Sequence, residues 1–302
     1  MQIEWLEDFI ALANTRSFSR AAEIRFVTHP AFGRRIRALE AWAGTALVDR
    51  KQPIRLTEAG KLLLEAAQHS VTLLYSARAQ VRNAHTSPDE PLRIATGRTL
   101  AMRFLPDWHA ALAGRVGNYP MSISTGGALE GIAKLHAGDA DLLLSYSSAL
   151  TRMLIDPLRC ETIVIEREEL IPVSAPDRNA RARFRADSSS MEAVPWLAFA
   201  PSLSLRGVLA HHLDSLPQRP QLAMVCEADS YETLLAMATR GSGLAWLPSM
   251  VVRDDLQTGA LCIAGDQSMR VGFDISLHRL RNVANPRADA IWQDHERRAT
   301  AN

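Results

Sequence analysis

Arg16, Arg20, Arg25, Arg34, Arg35 and Arg37 fall in one short window of the chain, offset there only by Glu23 and Glu40. Guanidinium groups are planar and permanently charged, and they donate in pairs. A run of them therefore suits a polyanion, by charge at phosphates and by bidentate hydrogen bonding at guanine edges. The net charge of the 302 residues is only +1 at pH 7, so the basicity is local. Residue types for catalysis find no comparable setting. The chain has no Gly-x-Ser-x-Gly elbow, no His-Glu-x-x-His and no Gly-x-Gly-x-x-Gly, and Gly60-Lys61 lacks the upstream glycine of a Walker loop. Gly241-x-Gly243 alone is weak, and His211-His212 has no further ligand at metal spacing. No catalytic residue, metal or cofactor is expected, and the chain is expected not to be an enzyme.

The elements that must present these arginines can be read from periodicity. Trp5, Leu6, Phe9, Ile10 and Ala13 recur at helical spacing and give a first helix an apolar stripe. Ser17 or Ser19 caps a second helix that begins near the small pair Ala21-Ala22, where two helices can approach closely. Val27 is expected to plug the following turn. Thr28 is the next N-cap, and Pro30 sits in a first turn, where its missing N–H costs little. On the third helix Phe32, Ile36, Leu39 and Ala43 share one face, the core side. Pro30, Gly33, Arg34 and Arg37 lie roughly opposite, a face of little bulk that can set a helix into a DNA major groove.

These residues resemble the LysR-type transcriptional regulators. The likeness is carried by Arg16-Ser17-Phe18-Ser19-Arg20-Ala21-Ala22, by Val27 through Glu40, by Leu47 and Arg50, and by Leu56-Thr57-Glu58-Ala59-Gly60. Such regulators usually have Gln where this chain has His29, and Ser where it has Gly33. Gln can pair bidentately with adenine, whereas His29 offers one ring nitrogen at a time, and Gly33 lacks a hydroxyl for phosphate. The operator therefore does not transfer from the family. The expected DNA-binding residues are Ser19, Arg20, Thr28, His29, Pro30, Gly33, Arg34 and Arg37.

Lys51-Gln52-Pro53-Ile54-Arg55-Leu56 reads as a short hairpin turning at Pro53, the wing of a winged helix-turn-helix, with Lys51 and Arg55 toward backbone phosphates. Thr57 caps a long helix running to about Asn83, on which Gly60, Leu63, Ala67, Ser70, Leu74, Ala77 and Val81 form a heptad seam. The resemblance implies that this linker helix pairs with its twin in a dimer or tetramer on a two-fold DNA operator, with RNA polymerase as a further partner.

The polar run Thr86-Ser87-Pro88-Asp89-Glu90-Pro91 marks the domain cut. The expected division is a winged helix-turn-helix over 1–57, a linker helix over 58–85 and an effector-binding domain over 91–302. From Leu92 onward short apolar strands alternate with helices: Leu92–Ala95, Met121–Ser124, Leu142–Tyr146, Glu169–Val173 and Trp196–Phe199. These resemble the family's two-lobed α/β effector domain, built like periplasmic binding proteins. The resemblance implies one lobe over about 91–160 and 268–302 and another over about 161–267, with the chain crossing near Leu158 to Glu161. A ligand crevice belongs at strand carboxyl ends. The expected lining is Arg98, Thr99, Gly126, Tyr146, Ser202, Leu203, Ser204 and Trp246. Either Arg98 or Arg206 could pair with the carboxylate of an anionic effector.

A second sensing route follows from Arg279-Leu280-Arg281, Asn285-Pro286 and Trp292, which, with the start of the chain and the third helix, look like the hypochlorite-responsive branch of the family. Oxidation would act through Cys160, Cys226 and Cys262, which have no Cys-x-x-Cys spacing, or through Met102, Met121 and Met224. With 47% hydrophobic and 22% charged residues, no targeting peptide and no run of about eighteen apolar residues, the chain is expected to be cytoplasmic, away from membranes.

Overall fold

The computed structural model describes residues 1–51, 54–83, 90–157, 159–186, 192–281 and 285–301. The chain folds as two units, Met1–His85 and Thr86–Asn302.

The first unit opens with three helices, α1 (Ile3–Thr15), α2 (Phe18–Ile24) and α3 (His29–Ala43). Each start has a sequence cause. The Ser17 hydroxyl caps α2 by accepting from the Arg20 N–H, and the Thr28 hydroxyl caps α3 by accepting from the Ala31 N–H, each at 3.4 Å. Leu6, Phe9 and Leu12 of α1 bury against Ala21 and Ala22 of α2 and against Phe32, Ile36 and Leu39 of α3. Val27 is half-buried on the same core.

Two short antiparallel strands follow, β1 (Val48–Asp49) and β2 (Arg55–Leu56). The expected turn residue Pro53 lies outside the described residues. Glu40 ties this hairpin to α3: its carboxylate accepts from the Leu47 and Val48 N–H groups at 3.1 and 3.3 Å and from Arg50 Nη2 at 2.5 Å. Thr57 then caps α4 (Glu58–Asn83), accepting from the Gly60 N–H at 3.0 Å while donating to the Ala46 carbonyl at 2.8 Å. A Cβ at Gly60 would stand 2.1 Å from the Leu47 carbonyl oxygen, so only glycine lets α4 start here.

The expected seam on α4 divides. Gly60 and Ala67 are buried and Leu63 half-buried on the first unit's own core, together with Val71, whereas Ser70, Leu74, Ala77 and Val81 are exposed along with Leu62 and Leu73. The first half of the seam serves intramolecular packing, and its second half is left outward.

The second unit alternates strands and helices: β3 (Leu92–Thr96), α5 (Arg98–Arg103), α6 (Leu105–Val116), β4 (Met121–Thr125), α7 (Ala128–His136), β5 (Leu142–Tyr146), α8 (Ala149–Leu154) and β6 (Cys160–Ser174). It continues with β7 (Val194–Phe199), α9 (Arg206–Ser215), β8 (Leu222–Ala228), α10 (Tyr231–Thr239), β9 (Ala245–Pro248), α11 (Ser249–Thr258), β10 (Cys262–Ile263), β11 (Val271–Leu280) and α12 (Pro286–Ala301). Parallel β4, β3 and β5 continue into antiparallel β11 and β6 in the order β10-β6-β11-β5-β3-β4, while β9 pairs with the far end of β6. Parallel β7 and β8 join β9 through an isolated bridge between Trp196 and Leu244.

β6 is therefore one strand of 15 residues that serves both lobes, with β11 returning beside it. The lobe crossing falls inside these paired strands, later than the expected Leu158 to Glu161 loop, of which Leu158 lies outside the described residues. A bulge leaves Ile165 unpaired opposite the Ile275-Ser276 step.

The distinctive C-terminal residues hold α12 in place. Arg279 pairs with Glu161 at 2.6 Å and Asp289 at 2.7 Å and stacks over Trp292 at 4.4 Å, while Arg281 pairs with Glu161 at 3.0 Å. The Asn285 side chain accepts from the Arg287 and Ala288 N–H groups, capping the helix.

Candidate nucleic-acid interface and interlobe cleft

On the first unit Ser19, Arg20, Thr28, His29, Pro30, Arg34, Arg37, Lys51 and Arg55 are all exposed and Gly33 is half-exposed. A Cβ at Gly33 would meet nothing within 4 Å, so this part of α3 is open to a partner's surface. Arg37 donates from Nε to the Gly33 carbonyl one turn back at 3.3 Å, which orients its guanidinium along the helix. The His29 ring lies edge-on to Phe18 at 6.1 Å, and Phe18 in turn packs on buried Phe32. Packing on the core thus steadies the first residue of α3.

The arginine window does not act as one patch. Arg25 and Arg35 turn inward onto Asp8, whose exposure is 0%, with Arg25 Nε donating at 2.8 Å and Arg35 Nη1 at 3.3 Å. Glu7 accepts from Arg25 Nη2 at 2.6 Å and from the Tyr75 hydroxyl of α4 at 2.6 Å. Burial works against the Arg25 charge, but Glu7 and Asp8 outweigh it and raise its pKa. These two arginines clamp α1, α2 and α3 together, leaving Arg16, Arg20, Arg34 and Arg37 outward. The signal for this lies in α1, where the carboxylates Glu7-Asp8 interrupt an otherwise apolar stripe.

In the second unit a cleft of about 430 Å³ opens at the carboxyl ends of β3, β4 and β5 and faces the turn before α9 and the start of α10. Arg98, Thr99, Gly126, Tyr146, Ser202, Leu203 and Ser204 all line it. Trp246, expected as a wall, is a correction. It is fully buried in β9, which pairs with β6, and its Nε1 donates to the Met269 carbonyl at 2.9 Å. Arg206 is not at this cleft. It lines an adjoining open groove and pairs with Glu227 at 3.4 Å.

Asp229 lines the cleft as well, and two further carboxylates there, Glu130 and Glu232, are missed by sequence reasoning. Glu232 bridges the lobes, since Thr99 Oγ1 donates to its Oε1 at 2.8 Å and Ser230 Oγ to its Oε2 at 2.9 Å. Its visible cue is the run Ser230-Tyr231-Glu232 at a helix start. Glu130 folds back over Gly126, where a Cβ would meet its Oε2 at 2.3 Å, and pairs with Lys134 at 2.9 Å. The Tyr146 hydroxyl and Thr96 Oγ1 are buried at this cleft with no hydrogen-bond partner among the described residues. Burial holds the Tyr146 pKa well above its usual value, so the phenol is neutral.

Behind the cleft His278 sits between Ser145 Oγ at 3.0 Å and Thr162 Oγ1 at 2.8 Å, and burial lowers its pKa to about 4. Cys160 is also buried, its thiol pushed up to about 12. Cys226 and Cys262 are half-buried, whereas Met102 and Met224 are exposed. Among the described residues there is no group of three or more His, Cys, Asp or Glu placed to hold a metal, and no helix is long and apolar enough to cross a membrane.

Comparison with known proteins bears on both halves. Residues 3–61 match the bacterial regulatory helix-turn-helix of the lysR family, and residues 85–296 match the LysR substrate binding domain. The chain belongs to the LysR family. It is a DNA-binding transcriptional regulator with a C-terminal effector-binding domain. It is 26% identical over 296 residues to the HTH-type transcriptional regulator YjiE of Escherichia coli, covering 97% of this chain and 94% of that one. Among solved structures, this LysR-type regulator resembles Vibrio fischeri DarR in complex with DNA (28% identity, TM-score 0.58, 98% of each chain covered). It also resembles the LysR family regulator VV2_1132, at 31% identity and TM-score 0.57 over 97% of this chain and 99% of that one. Full-length HypT from Salmonella typhimurium, a hypochlorite-specific regulator, shares the fold at 24% identity and TM-score 0.57, over 97% of each chain.

Proposed function

We propose that this regulator sets α3 into the major groove with Arg34 and Arg37 as its principal contacts, while Ser19, Arg20, Thr28, His29, Pro30 and Gly33 complete the face and Lys51 and Arg55 reach phosphates. The reading is carried by the division of the arginines: Arg34 and Arg37 face outward beside the open surface at Gly33, whereas Arg25 and Arg35 are held by Asp8. We propose further that α4 pairs with its twin through exposed Leu74 and Val81, one heptad apart, with exposed Leu73 beside them, since an exposed apolar stripe favours burial against a partner. Sedimentation of full-length protein carrying Leu73→Glu and Leu74→Glu should show loss of the dimer. Retention of the wild-type assembly would place the interface elsewhere.

The cleft is proposed to take a small-molecule effector and to work by binding. The hydroxyls of Thr96, Tyr146 and Tyr231 in its lining are buried and unpaired among the described residues, and a polar group buried without a partner costs about 1–3 kcal/mol, which a ligand's polar group would recover. Ser145, one of its hydroxyls, has beside it only His278, a weak base at a pKa of about 4. Of the sulfur groups that oxidation could use, Cys160 is buried and protonated and so is a poor nucleophile, whereas Met102 and Met224 are exposed. Gel retardation of the DNA upstream of its own gene, with and without candidate effectors, tests this reading. Response should be lost in Ser202→Ala with DNA affinity intact, and a normal response in that variant would move the site.

A further inference from the structure

The charge lining the cleft runs opposite to what an anionic effector requires. A ligand carboxylate needs hydrogen-bond donors, but Thr99 and Ser230, the hydroxyls beside Glu232, already donate to that side chain. Glu130, Asp229 and Glu232 line the same space; Glu130 and Asp229 are exposed, and Glu130 pairs with Lys134. The charge beside the buried hydroxyls is therefore that of half-buried Glu232, while Arg98, the one guanidinium among the described lining residues, is exposed. A second carboxylate brought in beside half-buried Glu232 would meet a like charge, which disfavours it. The unpaired hydroxyls of Tyr146 and Thr96 can each donate one hydrogen bond and accept others, and beside the Glu232 carboxylate their lone pairs suit a ligand N–H. Tyr146 also packs edge-on to Tyr231 at 6.1 Å, the residue preceding Glu232, so hydroxyl, aromatic wall and carboxylate belong to one end of the cleft.

Resting on the proposal that this cleft is the effector site, we infer that its ligand carries a cationic nitrogen, an ammonium or guanidinium group. Glu232 receives its charge, and the hydroxyls of Tyr146 and Thr96 accept from its N–H groups. Arg98 remains for an anionic group at the other end of the same molecule, so zwitterions fall within the class. The cation competes for the carboxylate that Thr99 now holds across the two lobes, and this links occupancy to lobe arrangement.

The test uses full-length protein and two probe sets, putrescine, agmatine and lysine against succinate and benzoate, read by thermal shift and titration calorimetry. At least one cationic probe should raise the melting temperature by about 2 °C or more at saturating concentration. Glu232→Gln, which keeps shape but removes charge, should weaken that probe by about tenfold or more, and Tyr146→Phe by a smaller factor. Tyr146→Phe removes a single oxygen and keeps the packed ring, so it reports on the cleft even if Glu232→Gln folds poorly. A response to succinate or benzoate alone, or a cationic response unchanged in both variants, overturns the inference while leaving the cleft as effector site. Silence from both sets in the wild-type protein tells instead against the cleft reading itself.

Discussion

If Arg34 and Arg37 meet DNA while Arg25 and Arg35 hold the fold, the two pairs must fail in different ways. An arginine that neutralises one phosphate contributes about 0.9 to the slope of log affinity against log salt, and its removal takes that share away. In a dimer every substitution occurs twice, so Arg34→Ala should reduce the slope by about 1.8. Between 50 and 200 mM salt that is a fourfold change raised to this power, so the affinity ratio of wild type to variant should shrink by about twelvefold across the range. Stability should stay within about 0.5 kcal/mol, since Arg34 is exposed. Arg35→Met should do the reverse. It leaves Asp8 fully buried with one of its two arginines gone, and breaking a buried pair costs about 3–5 kcal/mol; Arg25 still neutralises Asp8 and Arg35 is about one-third exposed, so about 2 kcal/mol is expected. For a unit of this size that is a fall of about 8–16 °C in its melting transition, with the salt slope unchanged. Fluorescence anisotropy on labelled operator over a salt series, beside calorimetric melting of the same preparations, reads both quantities. Equal slope reductions in Arg34→Ala and Arg35→Met would refute the division, as would an unchanged slope in Arg34→Ala.

Gly60→Ala should destabilise the first unit by about 2 kcal/mol or more, because its methyl would lie 2.1 Å from the Leu47 carbonyl oxygen; urea titration would show this as a lower midpoint. Phe26, 66% exposed with φ of 52°, holds a left-handed conformation that Asn tolerates better, so Phe26→Asn should stabilise the unit by about 0.5–1 kcal/mol in the same titration. His278 titrates near 4 when folded and near 6.5 when unfolded, so the unfolded chain binds the proton first as pH falls. Stability is full above about pH 6.5 and is lost towards pH 4, by about 2 kcal/mol at pH 5. His295, lowered to about 4 chiefly by burial, acts in the same direction. Urea unfolding at pH 7 and pH 5 should show the loss, and His278→Gln should remove its share; an unchanged pH dependence in that variant would remove His278 as the cause.

Much of the first unit is legible in the sequence because its determinants are local. Caps at Ser17, Thr28 and Thr57 and the spacing of Phe32, Ile36 and Leu39 each act through neighbours within about one helical turn. Strand ends that line the cleft are readable for a related reason. A parallel strand followed by Gly or Thr and a helix places that turn at the sheet's carboxyl edge whatever the rest does. Trp246 escapes such reading because a strand-end aromatic looks alike whether its side chain faces a cleft or, as here, is fully buried with its indole N–H on a backbone carbonyl.

Sequence by itself therefore determined the family, the helix presented to DNA and the turns that meet at the cleft, all properties set over short spans of chain. The tertiary structure alone decided which arginines face outward, through Asp8 some 17 and 27 positions away, and which sign of charge fills the cleft, through Glu232 meeting Thr99 across 133 positions. Electrostatic partners are chosen by distance in space and by exclusion of water, and neither is written in the spacing of residues along a chain.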